Sequence, residues 1–177
     1  MFETTRRSLG YSLARMHFRN QRDQVIDFTE SLASGNRVLL ILPLTSSKAS
    51  ITSLLELFRT RYGEEMVSVV TDARDTTIAG ALPRSEIIRM HMTEVTRLFH
   101  PPADILKRVK DRQYDVAVDL NLDFLLPSGY ICKASTARIR VGFARPGADL
   151  FYNFQIKVEG SSTAAMYDRL ASCLKMF

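Results

Sequence analysis

The sequence predicts an α/β fold: a Rossmann-like three-layer sandwich built on a mostly parallel sheet, with an N-terminal helical extension. Three observations carry that prediction. After residue 36, short apolar runs rich in β-branched residues alternate with amphipathic helical segments, as a parallel sheet covered on both faces requires. The run from Tyr114 to Asp123 reads as a central strand buried on both sides, with Asp119, Asn121 and Asp123 crowding its carboxyl end, where open parallel sheets place their crevices. Residues 1–35 stand apart from the rest as a basic arm. The division is therefore 1–35 for the arm and 36–177 for the Rossmann-like domain.

Taken in order, residues 4–33 read as one long helix, or two with a break near Asn20–Asp23. Leu9, Leu13 and Met16 share one face, and Val25, Phe28 and Leu32 continue a stripe. Gly10 weakens the early part by about 1 kcal/mol relative to alanine, and Gly35-Asn36 is a stop signal. A first strand covers 37–43, and a helix capped by Ser46 or Ser47 covers roughly 47–61. A second strand spans 66–71, with a polar loop at 72–77 and an ambiguous piece at 78–82. A third strand spans 86–90, and an irregular stretch follows to His100. Pro101-Pro102 opens a helix over about 102–112. The central strand at 114–120 leads into a helix within 123–134, disturbed by Pro127 and Gly129. A strand at 137–143, a turn at 144–147, a strand at 154–158 and a closing helix over 162–176 complete the chain. Consecutive right-handed crossovers make 3-2-1-4-5 the natural strand order.

The chain has 177 residues, 46% hydrophobic and 24% charged, which suits one soluble domain. Cys132 and Cys173 match no metal spacing and fit a reducing compartment. No run of about 18 apolar residues is present, and the amino terminus lacks the apolar core of a secretory signal, so the expected location is cytoplasmic. There is no glycine-rich phosphate loop, no calcium loop and no nucleophile triad order, so no cofactor and no metal are expected. His91 and His100 have no partner at ligand spacing and read as structural or exposed. Asp119 and Asp123 read as loop anchors more readily than as an acid pair.

The net charge is +5 and the pI about 9.4. Arg6, Arg7, Arg15, Arg19 and Arg22 face only Glu3 within residues 1–22. This arm reads either as a solvated face with arginine stems over apolar neighbours or as a surface for protein, nucleic acid or an anionic membrane. At the end of the first strand, Ser46, Ser47 and Lys48 precede a helix amino terminus, a setting able to hold an anion. Arg138 and Arg140 alternate along a strand and face one side; with Lys133 and Arg145 they read either as an unremarkable polar edge strand or as a basic, phosphate-binding patch.

Arg37–Pro43, the serine-bearing loop, the helix to Arg61, Tyr114–Leu120 and Arg138–Phe143 resemble the amino-terminal half of glycosyltransferase family 9, the heptosyltransferases of lipopolysaccharide synthesis. In that family a strand like RVLLI enters a Ser-Ser-Leu-Gly-Asp loop, and a YDLVIDLQG strand precedes RIGF. The chain also resembles a small uncharacterised family from Bacteroidota and Chlorobi-like bacteria, through Lys133-Ala134, Ala137-Arg138 and Val141-Gly142-Phe143. The first resemblance implies a two-domain enzyme whose carboxyl-terminal domain binds the nucleotide-sugar donor, and the sequence ends where that domain would begin. Where the family has its catalytic aspartate, this chain offers Ser47, Lys48 or Ala49. Where the family has Gln-Gly, it has Asn121-Leu122.

The implied function is a non-catalytic, glycosyltransferase-like binding or scaffold module, a pseudoenzyme held in a protein complex through its amino-terminal helix. The weak ligand-binding set is Ser46, Ser47, Lys48, Asn121 and Arg145. The alternatives are an acceptor-binding subunit of a split glycosyltransferase, or a nucleic-acid or ribosome-associated protein gripping through the arm. Nucleic-acid binding through the arm would weaken steeply between low and moderate salt, as counterion release demands, and would disappear on deletion of residues 1–22.

Overall fold

The computed structural model describes residues 2–21, 36–44, 51–75, 81–158 and 162–176. Six strands form one all-parallel sheet: β1 (Val38–Ile41), β2 (Val67–Asp72), β3 (Glu86–Met90), β4 (Val116–Asp119), β5 (Ile139–Phe143) and β6 (Phe154–Ile156). Their order is β3-β2-β1-β4-β5-β6, the expected order extended by β6 at one edge. In the centre, Leu40 lies between Val69 and Val118. β1, β4 and β5 are buried along their whole length, because helices cover both faces and leave no wet side.

The helices are α1 (Phe2–His17), α2 (Thr52–Tyr62), α3 (Ala103–Lys110), α4 (Leu126–Ala134) and α5 (Thr163–Lys175). Alternate strand residues divide between two cores. Val38, Leu40, Val69 and Val118 meet Leu54 and Phe58 of α2 and Leu170 and Leu174 of α5. Leu39, Ile41, Val70 and Ala117 meet α1, α3 and α4 on the other face. All nine residues of α4 are buried, and Pro127 sits in its first turn, where a missing N–H costs nothing. Helix α2 begins at Thr52 after Ile51, with no side-chain cap on Ile51, and Ser46 and Ser47, expected to cap it, lie outside the described residues. Ser162 does cap α5, accepting from the Ala165 N–H.

The amino-terminal helix forms as expected. It ends at His17, and residues 22–35 lie outside the described part. Its buried side is made of Gly10, Ala14 and Phe18, whereas the Leu9, Leu13 and Met16 stripe is 54%, 42% and 71% exposed. Phe18 inserts against Tyr130 and Phe151, with centroids 4.7 and 6.2 Å away. Burial of one such ring stabilises docking by about 1.5–3 kcal/mol. The Gly10 carbonyl lies 3.0 Å from His100 Nε2. A Cβ at Gly10 would sit 2.0 Å from the Leu98 carbonyl oxygen, so only glycine lets this helix approach the 91–100 segment.

This contact sets two effects of opposite sign. Alanine at position 10 would favour the isolated helix by about 1 kcal/mol, but in the folded chain it meets backbone that cannot step aside. Gly10→Ala is therefore expected to destabilise by about 1–3 kcal/mol, or to release α1, as measured by urea denaturation and by proteolysis of the arm.

Candidate functional site

The chain leaves β1 towards β2 and β3 on one side, then returns to β4 on the other. The carboxyl ends of β1 and β4 therefore flank the switch point, where doubly wound sheets open a crevice. Asn121 stands at this point. Its Oδ1 accepts the Leu44 N–H at 2.9 Å, and its Nδ2 donates to the Leu42 carbonyl at 3.3 Å and to Asp119 Oδ1 at 2.7 Å. The Asn121 N–H also donates to Asp119 Oδ1, at 2.9 Å. The amide thus ties the exit of β1 to the exit of β4.

Asp119 is only 1% exposed. Its Oδ2 accepts the Tyr152 hydroxyl at 2.5 Å. Burial raises its pKa, opposed by hydrogen bonds from Ser128, Tyr152 and Asn121. Burial first, and then the Asp119 carboxylate, push the Tyr152 phenol well above its ordinary value. The same two causes keep the Cys132 thiol protonated and inert. From α5, the Tyr167 hydroxyl donates to the Leu120 carbonyl at 2.8 Å, and burial pushes its pKa up to about 12. A general base must reach its substrate. The partners Asp119 reaches are Asn121, Tyr152 and the helix that carries Ser128.

Asp123 is exposed, whereas Asp119 is buried. The basic patch expected from Arg138 and Arg140 is corrected by the structure. Arg138 is exposed, but Arg140 is buried, donating through Nε to the Phe151 carbonyl at 2.9 Å and through Nη1 to the Ala137 carbonyl at 2.7 Å. Lys133 is buried as well. The strand alternation is real, but the 151–153 segment folds over β5 and takes Arg140 inside. Arg145 is half-buried and donates to the Ala144 carbonyl at 3.1 Å. Ser46, Ser47, Lys48 and Arg22 lie outside the described residues. Within the arm, Arg6 donates to the Arg97 carbonyl at 2.8 Å, and both Arg6 and Arg7 lie over the Phe99 ring. Arg15 and Arg19 are exposed.

Tyr152 and Tyr167 were not singled out by the sequence reading, although a signal for Tyr152 exists. A Cβ at Gly142 would lie 2.5 Å from the Tyr152 ring. A glycine inside a strand marks such a close approach, and here it lets the phenol reach Asp119. Away from the switch point, an open groove of about 600 Å³ runs between the end of α2 and the turn before β3, lined by Arg59, Tyr62, Glu64, Met66, Pro83 and Arg84. Its charges are partly paired, with Arg59 bonded to Glu56 at 2.9 Å and 3.7 Å from Glu64. Among the described residues, no group of three His, Cys, Asp or Glu side chains is placed to hold a metal, and no helix is long and apolar enough to cross a membrane.

Two substitutions test this architecture. Asn121→Ala leaves the Leu44 N–H without its acceptor and is expected to cost about 1–3 kcal/mol in denaturant unfolding. For Asp119, a raised folded pKa means that the folded chain holds the proton more tightly than the unfolded chain does. Its contribution is fully present below the unfolded value of 3.8 and is lost as pH rises through the folded pKa. Asp119→Asn keeps the shape and removes that titration. The stability difference between the native chain and this variant should therefore shift in favour of the variant as pH rises from about 4, read from urea midpoints across a pH series.

Set beside known proteins, the sequence matches no family model, no curated protein and no solved structure.

Proposed function

We propose that the chain is a non-catalytic, glycosyltransferase-like binding module, a scaffold that engages a protein partner through its amino-terminal helix. The observation that supports this reading is the state of the switch-point polar groups. Asp119, Asn121, Tyr152 and Tyr167 are bonded to one another or to backbone, and Asp119 is shut off from solvent. Around the loop after β1, the sequence supplies Ser47, Lys48 and Ala49 where a transferase would need a carboxylate to accept the acceptor hydroxyl's proton. Among the described residues, α1 carries three exposed large apolar side chains, Leu9, Leu13 and Met16.

The test is direct. Calorimetry and a radiolabelled transfer assay with ADP- and UDP-sugars are expected to show neither donor binding nor sugar transfer by this chain. Transfer of sugar to any lipid or saccharide acceptor overturns the reading. Transfer that arises only when a second, nucleotide-binding chain is added would favour the split-transferase alternative instead.

A further inference from the structure

Phe151 and Tyr152 are neighbours in the chain, yet they serve two different parts of the molecule. The Tyr152 hydroxyl donates to Asp119 at the switch point. The Phe151 ring meets Tyr11 and Phe18, with centroids 6.0 and 6.2 Å away. Both backbone N–H groups donate to the Ala148 carbonyl, at 2.9 and 3.1 Å, so one short turn carries both rings. Two glycines leave this turn no slack. Gly142 lies under the Tyr152 ring, and a Cβ on Gly129 of α4 would lie 3.1 Å from Phe151 Cγ. Phe124, in the loop that follows Asn121, packs on both rings, its centroid 5.4 Å from that of Phe151 and 6.4 Å from that of Tyr152. Close-packed groups pass a displacement on rather than absorb it.

The element best able to respond is α1. Across residues 3–17 only Gly10 and Ala14 are buried and Tyr11 is half-buried, with Phe18 buried just beyond. An element with so few buried contacts opens at a small part of the free energy needed to unfold the whole domain. We infer that the Phe151–Tyr152 pair is a relay between the switch point and the amino-terminal helix. Breaking the Tyr152–Asp119 bond shifts α1 from its docked to a released arrangement, and docked α1 in turn steadies that bond. The coupling is reciprocal, because both events draw on one equilibrium. Anything that takes Asp119 from Tyr152 is therefore felt at α1. The relay is built from the domain's own contacts and holds whatever α1 engages.

Hydrogen exchange of the full chain, read by mass spectrometry, tests the relay. Tyr152→Phe keeps the ring over Gly142 and removes only the hydroxyl. It is expected to speed exchange of the α1 amides about fivefold or more relative to those of α5, which packs on the other face of the sheet. Tyr167→Phe is the control. It removes another buried hydroxyl, the one bonded to the Leu120 carbonyl, from the face opposite α1, and should leave α1 exchange unchanged relative to α5. Phe18→Ala runs the relay backwards and should speed exchange of the Phe151, Tyr152 and Asn153 amides. Unchanged α1 exchange in Tyr152→Phe overturns the inference, as do equal gains at α1 in both tyrosine variants. Should Tyr152→Phe fail to fold, which circular dichroism reports, the Phe18→Ala variant decides: unchanged exchange at residues 151–153 sinks the relay. None of these readouts involves a sugar nucleotide or a partner, so they succeed or fail independently of the transfer assay.

Discussion

One buried carboxylate organises the carboxyl edge of the sheet. Asp119 collects two donors from Asn121 and one from Tyr152, and Asn121 passes the connection on to the backbone at Leu42 and Leu44. Three segments that are distant in sequence are locked by this group: the exit of β1, the exit of β4 and the loop between β5 and β6. A buried acid costs desolvation free energy, and it persists where several donors compensate it. The cost is visible in the raised pKa and the compensation in the opposing hydrogen bonds. The polar residues that give the rim the look of a site in the sequence are, in space, the fastening of the sheet.

The second organising contact is steric. Gly10 meets the Leu98 backbone, and the rings of Tyr11 and Phe18 pack on those of Tyr130 and Phe151. The cations of Arg6 and Arg7 settle on Phe99. Part of the arm's charge is thus engaged on the domain itself, while Arg15 and Arg19 remain at the surface.

The sheet was legible because its signal is strong and local. Buried parallel strands are continuous apolar runs, and the runs at 37–43, 66–71, 86–90, 114–120 and 137–143 each contain the strand that forms, or all but its last residue. Helix beginnings were less legible, as at α2, because no side-chain cap marks the start. At the amino-terminal helix, the buried side is not the one with the larger apolar residues, for a physical reason. Periodicity identifies a face but not its direction, and Leu9, Leu13 and Met16 outweigh Gly10 and Ala14 on any hydrophobicity scale. Close packing selected the small residues instead, since they let two backbones meet. Arg140 followed the same logic. Its position in an alternating strand indicated exposure, but the carbonyls of Phe151 and Ala137, supplied by a later segment and a nearby turn, gave its guanidinium a buried setting. Tyr152 could only be found by asking what lies over Gly142.

The two sides of α1 carry different burdens. Any side chain added at Gly10 meets fixed backbone, whereas Leu9, Leu13 and Met16 make up no part of either core. Folding thus constrains one arc of the helix and leaves the other open to variation. In evolutionary terms the outer arc is a modular surface: its residues can be exchanged one at a time while the domain beneath keeps its shape.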